Sequence, residues 1–342
     1  MKNTRTLTFC AVIVCTVFIF GCEESMQNSY APVPGGPVDE LIPEANRIIQ
    51  EGLADADPLI KANTIEVIAA TKQIKLMPKV ERLMQDDFVP VRFAAVLAVG
   101  DMEYSFARNS VKRLLKDPDE NVRIAADYAM SKFGADGKFE LVRKAITSED
   151  QTVRANAVLL LGKSGDKTSL KVLYWVLRNN YSDDKVKFQA AEAIAKLGDE
   201  RIYPKLWAAL ISVYAEDRVM GVRAMGALGT IEAKNALITM LDDDLPEVRL
   251  IAAEQLGMLG ETTGEAEVLK VFMKNLTSGM DKEEIERINT LAALAIGEIC
   301  TPSLTQFLPQ LLKDESKRVR IAAAKAVIQC TKKNQTAGKT SI

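Results

Sequence analysis

Apolar side chains recur along this chain on a helical rhythm, and the rhythm itself repeats. Aligning on the dipeptide Val-Arg and its variants gives nine anchors: Ile60-Lys61, Val91-Arg92, Val122-Arg123, Val153-Arg154, Val186-Lys187, Asp217-Arg218, Val248-Arg249, Ile288-Asn289 and Val319-Arg320. Six of the eight intervals are 31 residues, and the other two are 33 and 40. Four residues after each anchor stand Thr64, Ala95, Ala126, Ala157, Ala190, Gly221, Ala252, Ala292 and Ala323, small in every repeat but the first. Eight residues after stand Ile68, Val99, Met130, Leu161, Ile194, Met225, Leu256, Ile296 and Val327, all apolar. Such offsets fall on one face of an α-helix, and the small column lets a neighbouring helix come close.

The rest of each unit reads as a second helix. Gly134, Gly165, Gly198, Gly229 and Gly260 follow their anchors by twelve residues, where a helix end needs positive φ. A further apolar-periodic stretch comes next, for example Ile202, Leu206 and Leu210. Polar turns such as Asp117-Pro118-Asp119 and Asp242-Asp243-Asp244 then supply N-caps for the next Val-Arg helix. Each unit is therefore a helical hairpin that cannot bury its apolar faces alone, and stacking makes the core continuous. The expectation is an all-α solenoid of about nine stacked hairpins over residues 39–331, with no strand required.

The pattern D-x-x-V-R-x-x-A-A-x-A-L-G-x-L-G, clearest at Val122 to Gly134, Val186 to Gly198 and Val248 to Gly260, resembles HEAT repeats of the short PBS-lyase HEAT-like type. The resemblance covers residues 40–331 and weakens where Thr64, Asp217 and Asn289 stand. It implies a right-handed superhelix whose Val-Arg helices line the concave face. Relatives of this repeat class include bilin lyases and deoxyhypusine hydroxylase, so an enzyme or enzyme auxiliary is the alternative reading.

The ends of the chain carry an address. Lys2 and Arg5 precede an apolar run from Leu7 to Phe20, too short to span a bilayer comfortably, and Ile19-Phe20-Gly21-Cys22 resembles a bacterial lipobox. Residues 1–21 then read as a lipoprotein signal peptide, Cys22 as the lipidated residue, and residues 22–38, rich in Pro and Gly, as a flexible tether. Residues 332–342 read as a polar tail. The expected location is the bacterial envelope, at the inner or outer membrane, with the folded part periplasmic. Cys300 and Cys330 are expected as two separate buried thiols, because packed helices lie roughly 8–10 Å apart and bridged Cα atoms within about 7 Å.

Composition narrows the chemistry. The 342 residues include no histidine, which removes the commonest general base and metal ligand. A Ser-His-Asp triad, a His-paired cysteine and a His-rich zinc site are all excluded, as is the His-Glu iron site that the hydroxylase resemblance implies. The net charge is −2, and −4 once Lys2 and Arg5 leave with the signal, so there is no basic footprint for nucleic acid. Gly162-Lys163-Ser164 superficially resembles a P-loop, but Ala157 stands where its first glycine is required. No cofactor and no metal are expected.

Three candidate features remain. The basic column Lys61, Arg92, Arg123, Arg154, Lys187, Arg218, Arg249 and Arg320 sits in the first helical turn and reads as a ladder tying repeats together. Lys132, Lys163 and Lys196 share one offset in three successive repeats and form a candidate basic stripe. Tyr174, Trp175, Tyr181, Tyr203, Trp207 and Tyr214 cluster in the middle of the array, a composition enriched at interface hot spots. The insertions at Asn179-Asn180-Tyr181 and Ser278-Gly279-Met280-Asp281 lengthen two units. Together these lead to a non-catalytic protein-interaction scaffold, lipid-anchored in the envelope, whose partner is an unnamed envelope protein.

Overall fold

The computed structural model describes residues 36–134, 139–273, 276–277 and 279–340. The signal segment, Cys22 and most of the tether lie outside the described residues, as does Ser278. Within them the chain forms nine helical hairpins and no strand. The pairs are α1 (Ile42–Leu53) with α2 (Pro58–Ala70), α3 (Met77–Leu83) with α4 (Val89–Asp101), and α5 (Arg108–Leu114) with α6 (Glu120–Lys132). Next come α7 (Glu140–Ala145) with α8 (Gln151–Ser164), α9 (Leu170–Arg178) with α10 (Asp184–Lys196), and α11 (Tyr203–Leu210) with α12 (Ala215–Leu228). The last three are α13 (Ile231–Thr239) with α14 (Pro246–Met258), α15 (Glu265–Met273) with α16 (Lys282–Ile299), and the pieces α17 (Pro302–Thr305) and α18 (Leu308–Leu311) with α19 (Lys317–Thr340). Helix α19 continues through much of the segment read as a polar tail, and Lys332 reaches back to the Thr71 carbonyl.

The anchor positions explain the packing. Val91, Val122, Val186, Val248, Ile288 and Val319 are fully buried, as are the small residues Ala95, Ala126, Ala157, Ala190, Ala252, Ala292 and Ala323 four positions on. Even-numbered helices from α2 to α16 pack each on the next, α16 packs on α19, and one apolar core runs from Ala45 to Ile328. Close approach depends on missing side chains: a Cβ on Gly162 would lie 2.7 Å from the Ala193 Cβ, and one on Gly297 would lie 2.8 Å from the Ala326 Cα. The sequence reading implies a superhelix and does not place its two ends. Here α19 packs on both α1 and α2, and Lys317 pairs with Asp55 at 2.8 Å, so the ends meet and the array closes into a ring.

One expectation fails. Cys300 and Cys330 form a disulfide with Cα atoms 5.2 Å apart, within reach of helices roughly 8–10 Å apart axis to axis because each Cα lies about 2.3 Å off its axis. The reason is local. Cys300 is not in the body of α16 but caps it, at φ 61°, the position filled by glycine in five other repeats. That left-handed turn carries the backbone towards α19, and Gly297 beside Ala326 lets the two elements close up.

Candidate interaction surfaces

The basic column is set by the hairpin turns. Each turn brings several backbone carbonyls to the start of the following helix, within reach of a long side chain in its first turn. Arg92 Nη1 donates to the carbonyls of Asp86 and Asp87, Arg123 Nη1 to those of Asp117 and Pro118, Arg249 Nη1 to those of Asp243 and Asp244, and Arg320 Nη1 to those of Asp314 and Glu315. Where the next turn offers a carboxylate, the same side chains also cross to it. Arg92 makes a bidentate pair with Asp117, both bonds 3.0 Å, Arg218 another with Asp243 at 2.7 and 3.0 Å, and Lys61 meets Asp86 at 2.6 Å. Arg154 donates to the Tyr181 carbonyl at 2.6 Å, Arg249 reaches Glu267 at 3.1 Å, and Lys187 lies 3.9 Å from Asp184 on its own helix. Burial raises the Asp86 carboxyl, but the hydrogen bonds from Lys61 and the Phe88 backbone, with the charges of Lys61 and Arg92, together outweigh it and hold the group below its ordinary range. The column's hydrogen-bonding capacity is largely taken up inside the fold.

The three stripe lysines lie inside the ring, and each meets a neighbour there. Lys163 on α8 reaches past α6 to Asp101 on α4 at 3.0 Å, a contact possible only across the concave side. Lys196 pairs with Glu192 at 2.7 Å, and Lys132 lies over the Tyr128 ring, whose hydroxyl donates to Asp101. Glu66 on α2 completes this cluster. Burial pushes its carboxyl up to about 8, while Lys163 and Lys325 pull it down and Asp101 adds to the rise. Glu66 was not singled out by the sequence, because only closure brings helices from both ends of the chain around it.

The aromatics, in contrast, lie on the outer layer and on one edge of the ring. Trp175 on α9 and Trp207 on α11 are 48% and 39% exposed, and Trp207 stacks on Tyr203 at 6.4 Å between ring centres. Tyr174 is half-buried, with Arg178 and Arg201 each over its ring at 5.6 and 5.5 Å. Tyr181 occupies the turn between α9 and α10 and is 82% exposed, although Arg154 and Gln151 both donate to its carbonyl. A fixed backbone therefore holds out a bare aromatic ring.

The turn between α11 and α12 inverts the usual polarity. Other hairpin turns on this edge carry acids, such as Asp55 and Asp57, Asp86 and Asp87, Glu149 and Asp150, or Asp314 and Glu315. This one reads Ile211-Ser212-Val213-Tyr214, with Ile211, Val213 and Tyr214 at 69%, 87% and 67% exposure. Its polar members point inward: Ser212 Oγ donates to Asp217 at 2.7 Å, and Arg218 Nη1 donates to the Ser212 carbonyl at 3.1 Å. Ile211 and Val213 were missed by sequence reasoning, yet there was a signal. Asp217 stands in the column where the other anchors are Val or Ile, and an acid there draws the turn's polar groups inward.

Among the described residues no group of three His, Cys, Asp or Glu side chains is placed to hold a metal ion, and no helix is long and apolar enough to cross a membrane. The family described as HEAT repeats matches residues 45–131, 80–150 and 139–219, together just over half of the chain. Similar solved structures include human deoxyhypusine hydroxylase in complex with glycerol, at 17% identity and a TM-score of 0.37, covering 87% of this chain and 100% of that one. They also include the CpcE–CpcF complex of phycocyanin lyase from Nostoc sp. PCC7120, at 18% identity and a TM-score of 0.44, covering 77% and 100%. No curated protein matches the chain.

Proposed function

Starting from the fact that this chain belongs to the HEAT-repeat family, we propose that it is a non-catalytic interaction scaffold, tethered in a bacterial envelope by lipid on Cys22, and that another envelope protein docks on the edge formed by Tyr181, Ile211, Val213 and Tyr214. The observation that carries this reading is the inverted turn. Burying a large aliphatic or aromatic side chain is worth about 1.5–3 kcal/mol, so a chain that turns Ser212 and Asp217 inward and Ile211 and Val213 outward gives up stability at that point. Exposed apolar groups on a pinned backbone lose little conformational freedom on binding, which favours their use as anchors. The Cys300–Cys330 disulfide supports an exported protein, since such bonds persist in oxidising compartments. A chain with no histidine offers no route to a His-Glu metal site, which weighs against the enzyme alternative.

Two measurements test the reading. Mass spectrometry of the mature N-terminus is expected to find acylated Cys22, and an unmodified cysteine there would remove the anchor. Mild crosslinking in intact cells is expected to capture a discrete partner with the wild-type chain and to lose it with Val213→Asp and Tyr214→Ala. An identical crosslinked set from the variants would remove the docking edge.

A further inference from the structure

The outer faces of α9 and α11 carry a second feature, distinct from the edge turns. Between α9 and the start of α11 runs a groove lined by Leu170, Lys171, Tyr174, Trp175, Arg178 and Arg201. Neither helix contains an acidic residue: α9 reads LKVLYWVLR and α11 reads YPKLWAAL. Lys171, Arg178 and Lys205 are exposed, and none of the three has a carboxylate partner among the described residues. Arg201 is partly neutralised by Asp199 and lies over the Tyr174 ring. Trp175 and Trp207 stand beside these cations with their rings half open to solvent.

We propose that this face is a membrane contact that takes the headgroups of an anionic phospholipid bilayer. Three observations favour lipid over an acidic polypeptide. The aromatic-plus-cation composition is that of an interfacial surface, where tryptophan lies at headgroup depth and each nearby cation strengthens attraction to anionic lipid. The face is the convex outside of the ring, a shape that meets a broad surface more readily than it encloses a peptide. The molecule as a whole is net negative and most of its hairpin-turn edge is acidic, so an anionic bilayer disfavours that edge relative to this face. Placement adds a consequence. The tether joins the first hairpin, whereas α9 and α11 belong to the fifth and sixth of nine, about halfway around the ring. An anchor at the first hairpin and a second contact on the opposite side together fix the orientation of the body. This inference deepens the envelope reading but does not depend on Cys22 being acylated.

The test uses the chain without residues 1–22, which keeps every core residue from Ala45 onward. It is mixed with vesicles of phosphatidylglycerol and phosphatidylcholine, or of phosphatidylcholine alone, at low salt. Co-sedimentation is expected with the anionic vesicles only, with tryptophan emission shifted to the blue and quenched by brominated acyl chains. Lys171→Gln with Arg178→Gln is expected to weaken binding by about five-fold for each cation removed, and so by tens of fold for the pair. Both side chains are exposed, so an unchanged thermal melt shows that the variant folds. Failure to bind anionic vesicles, equal binding to neutral ones, or full binding by the double variant would overturn the proposal. Because no partner protein and no acyl chain is present, such a failure leaves the crosslinking and mass-spectrometry tests of the scaffold reading untouched.

Discussion

Removing the Cys300–Cys330 bond tests the closed ring most directly. The two cysteines are 30 residues apart, and a cross-link of that span removes about 3.6 kcal/mol of conformational entropy from the unfolded chain in the loop-closure treatment. In an ordinary open repeat array, loss of that bond would loosen only the last hairpin, because each repeat touches only its neighbours. Here α19 packs against α16 on one side and against α1 and α2 on the other, so it acts as the piece that joins the ends. The double variant Cys300→Ala with Cys330→Ala should therefore lose about 3 kcal/mol in α19 and should also deprotect α1. Hydrogen exchange followed by mass spectrometry reads this segment by segment. Faster exchange is expected over Ile42–Leu53 and Lys317–Thr340 together, with α8 and α10, on the far side, unchanged. If α19 loosened while α1 kept its protection, the ends would not be coupled and the ring would be wrong. If neither changed, the entropic stabilisation assigned to the bond would be wrong.

Other expectations follow from named contacts. Arg92→Ala breaks a largely buried bidentate pair and two carbonyl bonds, leaving Asp117 uncompensated; a loss of about 3 kcal/mol in urea unfolding is expected, against no measurable loss for the exposed Arg47→Ala. Gly162→Val drives side-chain atoms into Ala193 and should cost about 1–3 kcal/mol or more, so a variant with the wild-type melting temperature would show that α8 and α10 are not in such close contact. Glu66 holds its proton more tightly folded than unfolded, so its contribution is fully present below the unfolded value near 4.5 and is lost as pH rises towards about 8. Urea midpoints of wild type and Glu66→Gln should thus diverge across that window, with the glutamine variant falling less as pH rises. Parallel midpoints would place Glu66 in ordinary solvent.

Much of the architecture was legible in the sequence because its determinants are local. The helical period at offsets 0, 4 and 8, the small residue that permits close stacking and the acidic turn that caps the next helix all lie within about 31 residues of one another. The same locality made the Arg92 ladder readable, since an arginine in the first turn sits beside its own loop. The aromatic cluster was visible as composition, but its separation from Lys132, Lys163 and Lys196 was not. Both groups occupy the middle repeats, and only the two-layer arrangement sends the lysines inside the ring and the tryptophans outside.

The sequence by itself determined the repeating unit, its helical hairpin, the continuity of the core and the absence of histidine chemistry. Only the tertiary structure decided that the array closes, that Cys300 and Cys330 meet, that Glu66 is enclosed by helices from both ends, and that an inverted turn projects from an acidic edge. The physical reason is how small errors accumulate. Each repeat rotates slightly relative to the last, the rotation depends on sub-ångström fits such as Gly162 against Ala193 and Gly297 against Ala326, and nine of them add up before Lys317 can find Asp55.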